Sequence, residues 1–191
     1  MAQVKRSGSQ ATRLIHLAIL LGWSSRFFCA AADAPLEYQV KAVFLLNFTK
    51  FIEWPAAAFE FPESPVTICI LGEDPFGDTI NQIVGGEVVS GRKIAVQRIK
   101  RLPGPKSCQV LFWGGSEAVP AKPLPDLGPG ILTVGEGDSF MREGGMIGFI
   151  IDNRRVRFDV NQAAAERAGL KISSKLLSVA RDVQNKPAGN N

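Results

Sequence analysis

Histidine is almost absent from this sequence. Its one copy, His16, lies in an N-terminal stretch that reads as a secretory leader, so the exported chain would hold no imidazole. That removes the usual base of a serine or cysteine nucleophile and the commonest metal ligand. Cysteine is scarce too, with three copies at Cys29, Cys69 and Cys108. Two isolated cysteines and no histidine leave a tetrahedral zinc site half empty. Beyond the leader, no apolar run comes near the roughly 20 residues that cross a bilayer.

The leader itself follows the order of a secretory signal. Lys5, Arg6 and Arg13 precede a short apolar run, Leu14 to Trp23, that His16 interrupts. Ala30, Ala31 and Ala32 supply small residues for cleavage after Ala32. Lipid attachment at Cys29 is disfavoured, because Arg26, Phe27 and Phe28 stand where small residues are needed. Residues 1–32 are therefore expected to be a cleaved signal peptide, with an uncleaved amphipathic tether as the alternative.

Excess charge disappears with the leader. Four of the 22 Lys and Arg residues lie in it and none of the 18 acids does, so the remainder carries 18 of each sign. The sequence pI near 9.1 belongs to the leader. A neutral chain offers no field for phosphate backbones, which excludes nucleic acid as the leading partner. In an exported chain Cys69 and Cys108 are most simply read as one disulfide. A closed loop of about forty residues is worth roughly 4 kcal/mol in the chain-entropy account. Two buried free thiols are the alternative.

What is present suits one domain over 33–183, followed by a disordered tail over 184–191. The stretch Glu37 to Ile52 has apolar residues at helical spacing on nearly every side, predicting a sandwiched helix. Asp33 can cap it, and Trp54-Pro55 stops it. Glu37, Lys41 and Lys50 form its polar side. Val66 to Glu73 predicts a buried strand, and a helix start follows at Asp74 to Val84. Three more strands are expected at Gly91 to Ile99, Cys108 to Gly115 and Ile131 to Glu136. Met146 to Asn161 carries two strand-like runs around Asp152-Asn153, a hairpin signal. Asn161 can cap a helix that Gly169 ends, and Ser173 can start another with Ile172, Leu176, Val179, Ala180 and Val183 on one stripe. The fold class is α/β: a mixed sheet with helices on both faces, closed by a C-terminal hairpin and helices.

No active site assembles from these residues. Ser139, in Gly-Asp-Ser, has no histidine to take its proton. The stretch GGEVVSGRKI lacks the Gly-Lys-Ser/Thr ending of a phosphate loop and precedes a strand rather than a helix. The carboxylates Glu73, Asp74, Asp78, Glu136 and Asp138 sit at strand-to-helix turns, where caps are commoner than catalysts. Arg154, Arg155 and Arg157 are the densest cations, suited to an anionic partner or to a solvated hairpin edge. Trp54, Phe59 and Phe61 are candidates for an exposed apolar patch, with Phe51 assigned to the core. The Pro-rich stretch Ala118 to Gly130 reads as a surface loop.

From Glu37 to Ala180 the blocks EYQVKAVFLLNFTKFIEWP, ICILGEDPFG, CQVLFWGGSE, ILTVGEGDSF, GGMIGFIIDNRRVRFDVN and AAAERAGLKISSKLLSVA resemble, in order, the YfiR-like family of periplasmic proteins. The resemblance implies a non-catalytic repressor that restrains an inner-membrane diguanylate cyclase through the cyclase's periplasmic domain. Sequestration by an outer-membrane lipoprotein would release the cyclase and favour biofilm. It also implies a homodimer, no cofactor and no metal. Cys69 and Cys108 match the family's structural disulfide, which makes the fold a redox reporter. Arg155, Arg157, Asn161, Glu166, Arg167 and Leu170 are the expected partner contacts. This chain departs from some members in lacking a second cysteine pair near the hairpin, and in having Leu46 where an aromatic residue is frequent. The rival expectation is a small-ligand-binding module or weak hydrolase.

Overall fold

The computed structural model describes residues 35–114, 124 and 127–185. The expected leader, Asp33, most of the Pro-rich stretch and residues 186–191 lie outside them.

Helix α1 (Leu36–Phe51) opens the domain on Pro35, whose carbonyl accepts a hydrogen bond from the Tyr38 amide at 2.8 Å. Pro35 itself stands outside the helix, with φ of −48° and ψ of 147°, and makes no side-chain cap. The helix stops before Trp54-Pro55. Ile52 and Glu53 turn extended and form β1 (Ile52–Glu53), which pairs with the later β9 (Lys171–Ile172). A 3₁₀ turn (Ala56–Ala58) leads into β2 (Val66–Gly72), whose first six residues are all buried. Then come α2 (Asp78–Val84), β3 (Val88–Val89), β4 (Arg92–Ile99), β5 (Val110–Gly114), β6 (Leu132–Glu136) and α3 (Gly137–Arg142). The hairpin strands β7 (Ile147–Asp152) and β8 (Arg155–Asn161) follow, then α4 (Gln162–Arg167), β9, α5 (Ser174–Leu177) and β10 (Asp182–Gln184).

Eight strands form one mixed sheet in the order β10-β8-β7-β6-β5-β2-β4-β3. The central run from β4 through β7 is parallel, β7 and β8 pair antiparallel, and β10 returns parallel to β8. Helices cover both faces. Ile68, Ile70, Val110, Phe112, Val134, Phe149 and Phe158 face the layer that contains α1 and α2. Cys69, Leu71, Leu111 and Trp113 alternate with them and meet Phe140 and Met141 of α3. Both faces of β2 are therefore apolar, the pattern of a parallel strand buried on two sides.

Three expectations need correction. Helix α1 is not sandwiched: Ala42, Leu45 and Phe48 reach the core, while Leu36, Val40, Val43 and Phe51 are exposed. These four lie on one helical stripe that no described element covers. Lys41, expected on the polar side, is 2 % exposed. The long final helix is also absent. After α5 the chain turns, leaves Val179 exposed, and lays Val183 into β10 against Val160. Pairing the open edge of β8 satisfies a row of backbone groups that a helix there would leave bare.

The trace fixes one glycine by contact. A Cβ on Gly114 would stand 1.9 Å from the Glu73 carbonyl oxygen, where β5 passes the end of β2. Gly114→Ala should lower stability by about 1–3 kcal/mol, the usual penalty of forced overpacking. A thermal-melt midpoint equal to that of the unmodified protein would show that the Glu73 carbonyl moves aside.

Candidate functional site

Strand β8 sets the two ends of the candidate surface. At its start, Asn153 and Arg154 make the two-residue turn with φ of +49° and +62°. Both central residues of such a turn need positive φ, which suits Asn153. An arginine held there forgoes roughly 1–2 kcal/mol relative to its ordinary conformation. Arg155, next along, is exposed and pairs in register with Asp152. Arg157 is half-buried, and its Nε is buried with no hydrogen-bond partner. Asp159, two residues on, is buried and held by Arg181, whose Nε donates at 2.8 Å and whose Nη2 makes a second, shorter bond. The alternation thus sends Arg155, Arg157 and Asp159 to one side, and Val156, Phe158 and Val160 to the core.

A cleft of about 480 Å³ opens beside this hairpin, lined by Glu37 and Lys41 of α1, Glu136 at the end of β6, Asp138 in α3, Asp152 and Arg181. Its floor is electrostatic. Lys41 Nζ donates to Glu136 Oε1 at 2.9 Å and to Glu37 Oε1, and stands 4.4 Å from the Tyr38 ring centroid. Tyr38 Oη donates to the other Glu136 oxygen at 3.4 Å. Burial pulls the Lys41 ammonium down, but hydrogen bonds to Glu37 and Glu136 outweigh it and hold the group above its ordinary pKa. Burial, with Glu136 next, raises the Tyr38 phenol.

The other end of β8 carries the rest of the expected contacts. Asn161 is buried, and its Oδ1 accepts from the Ala164 amide at 3.0 Å, capping α4. Leu170 is also buried, in the core beneath the α1 layer. Glu166 and Arg167 are exposed on α4, with Glu166 accepting from Gln162 Nε2 at 2.8 Å. Arg167 also lines a cavity of about 350 Å³ with Leu127, Ile131, Met146 and Glu143. Asn161 stands six positions along the strand from Arg155, about 20 Å. The structure therefore places four of the six side chains at the surface, in two groups. Asn161 and Leu170 are occupied in holding α4 and the core.

The remaining sequence candidates resolve locally. Cys69 and Cys108 are bonded, with Cα atoms 5.9 Å apart. Asp74 accepts from the amides of Phe76 and Gly77 and from Arg98, so it organises a turn. Ser139 is exposed in α3. Phe59 is buried under the Arg92 guanidinium, 3.8 Å from its centroid, whereas Phe61 is exposed. Trp54 is half-buried and donates to the Gln109 carbonyl at 3.2 Å. Sequence reasoning missed Gln109 itself. Its buried amide accepts from Thr67 N and donates to Ala58 O, tying β2 to the 3₁₀ turn. Among the described residues no cluster of three His, Cys, Asp or Glu side chains is placed to hold a metal ion. No helix among them is long and apolar enough to cross a membrane.

The described residues form a mixed α/β domain stapled by one disulfide, with an arginine-bearing hairpin at its surface. A family model described as YfiR/HmsC-like matches residues 38–181, and the chain belongs to that family. Membership supports a regulatory role in the periplasm. No curated protein matches the sequence.

Proposed function

We propose that this protein is a periplasmic repressor that binds the periplasmic domain of an inner-membrane diguanylate cyclase and holds it inactive. An outer-membrane lipoprotein competes for the repressor and releases the enzyme. The observation that carries the reading is the family match together with the hairpin: Arg154 kept in a strained turn, Arg155 exposed beside it, and Arg157 with a buried, unpartnered Nε. The positive φ of Arg154 is what the hairpin turn requires, so the weight falls on the buried Arg157 donor, which an acidic partner group would satisfy. The partner surface is accordingly acidic at the hairpin, with Glu166 and Arg167 on α4, beyond the far end of β8, forming a second contact. Repression further requires that the protein prefer the inactive state of the cyclase, since equal affinity for both states shifts nothing.

The test is co-purification from a detergent extract of membranes. Arg155→Glu with Arg157→Glu should reduce the captured cyclase about tenfold or more, as charge reversal at a docked pair does. Arg155→Glu alone, at an exposed position, should weaken capture while leaving the melting temperature unchanged. Full capture by both variants removes the hairpin from the interface.

The homodimer belongs to this reading, and the exposed stripe of α1 is its surface. Two copies of α1 packed antiparallel about Val43 bring Leu36 of one against Phe51 of the other, and Glu37 against Lys50. Val43→Glu should therefore shift the mass measured by light scattering from dimer to monomer. A wild-type protein that is monomeric at high concentration sinks this part.

A further inference from the structure

We propose that the outer edge of β4 is a second docking surface, which takes an extended acidic segment of a partner protein as an added strand. This does not rest on the repressor reading. The edge is open by construction. Strand β3 has two residues and covers only Arg92 and Lys93. Ile94 N still reaches back to Glu87 O at 3.3 Å. Alternation along the strand directs the backbone groups of Val96 and Arg98 to that same side, away from β2. Among the described residues no strand pairs with them there. Unpaired ladder groups are a template for another strand.

Charge decides which strand. From Arg92 to Lys106 the sequence has six Lys and Arg residues and no Asp or Glu. Two of these are engaged: Arg92 donates to the carbonyls of Phe61 and Ser64, and Arg98 donates to Asp74. Lys93, Lys100, Arg101 and Lys106 are exposed, and none of them forms a salt bridge to a described residue. A second copy of the chain would set these cations against their own counterparts, and like charges opposed across strands are destabilising. The cations that turn away a second β4 attract a strand with carboxylates at alternate positions. The site lies five strand spacings from β8, about 24 Å. One molecule therefore has room to hold a partner at the hairpin and a different acidic segment at β4.

The experiment uses the exported protein and a fluorescein-labelled peptide of four Glu-Val repeats. Two controls accompany it: the same peptide N-methylated at alternate amides, and one of four Lys-Val repeats. Saturable binding of the first peptide is expected, with both controls about tenfold weaker or more. Hydrogen exchange at the Val96 and Arg98 amides should slow when that peptide is present. Lys93→Glu with Arg101→Glu should weaken binding about tenfold, and less so in high salt, where screening already suppresses it. Arg155→Glu should leave it unchanged, which separates this surface from the hairpin. Equal binding of the N-methylated peptide overturns strand addition. So does unaltered exchange at Val96 and Arg98, or binding to phosphatidylglycerol vesicles without binding to the peptide.

Discussion

Replacing Cys69 and Cys108 together by alanine lowers the unfolding free energy by about 4 kcal/mol, read from urea denaturation midpoints at constant m-value. The bridge joins residues 39 apart in sequence, Cys69 in the middle of β2 and Cys108 just before β5. These two strands are neighbours at the centre of the sheet, so the bridge closes the loop that contains α2, β3 and β4. Most of its stabilisation comes from the states it denies the unfolded chain. Packing adds to this, because both sulfurs are buried among Leu71, Leu111, Trp113, Ile131, Phe140 and Met141. Alanine leaves a void there, and serine would add a buried hydroxyl in search of a partner. A typical domain has 5–15 kcal/mol in all, so the loss takes a large share of it.

The same burial shapes any redox behaviour. With Cys69 and Cys108 at 0 % and 1 % exposure, reductant reaches the bond only when the sheet opens locally. Reduction should therefore be slow in the native protein and fast in mild urea, with loss of the proposed cyclase capture following loss of fold. A stability loss below about 1 kcal/mol in the double variant would show that the unfolded chain is compact without its staple. It would also remove the bridge as a switch.

Sequence reasoning reached what depends on local pattern. The β-branched run of β2, the alternation of β4 and the Asn161 cap with its Gly169 stop are each written within a dozen residues, and each stands in the structure. Side chains alternate along β4: Ile94 and Val96 pack on one core and Ile99 on the other. The failures share a physical cause. Val179 and Val183 fit a helical stripe as well as they fit an exposed turn and an edge strand, and only the unpaired side of β8 decides between them. Phe51 looked like core because helix periodicity does not say how many layers surround the helix.

Contacts across long sequence distances were illegible for a simpler reason. Gln109 bonds to residues 42 and 51 positions away, and Asp159 is satisfied by Arg181, just before β10. The expected contact set shows the limit for a site. Of the expected contacts, Arg155, Glu166 and Arg167 are exposed and Arg157 is half-buried, while Asn161 caps α4 and Leu170 lies in the core. A residue that caps a helix gives the same sequence signal whether or not its helix is functional.

Lys41 is the other place where a large effect is expected. The double change Glu37→Gln, Glu136→Gln should lower stability by about 3–5 kcal/mol, because it leaves a buried ammonium without a counter-charge. Lys41 is 2 % exposed, and its Nζ bonds to both carboxylates. Glu37 and Glu136 are themselves partly in solvent, with side chains 41 % and 37 % exposed. The pair is thus asymmetric. Lys41→Met removes the charge that is hard to solvate and leaves two carboxylates that water can reach, so it should be nearly neutral at pH 7. Alkaline titration gives an independent reading. The folded protein holds the Lys41 pKa above its ordinary value of about 10.4, so its contribution is complete below that pH and is lost as pH rises through the higher folded value. Tyr38, raised above about 10, adds a loss of the same sign in the same range. Melting temperatures of the unmodified protein should fall steeply above pH 10, and those of Lys41→Met less so. Parallel alkaline limbs, or a double glutamine variant within about 1 kcal/mol of the original, would mean that water enters the cleft and solvates Nζ directly. The cleft beside the hairpin would then be open to solvent down to its floor, and α1 would be held over the sheet by its apolar residues Ala42, Leu45 and Phe48, with Phe44, and not by the ion pairs.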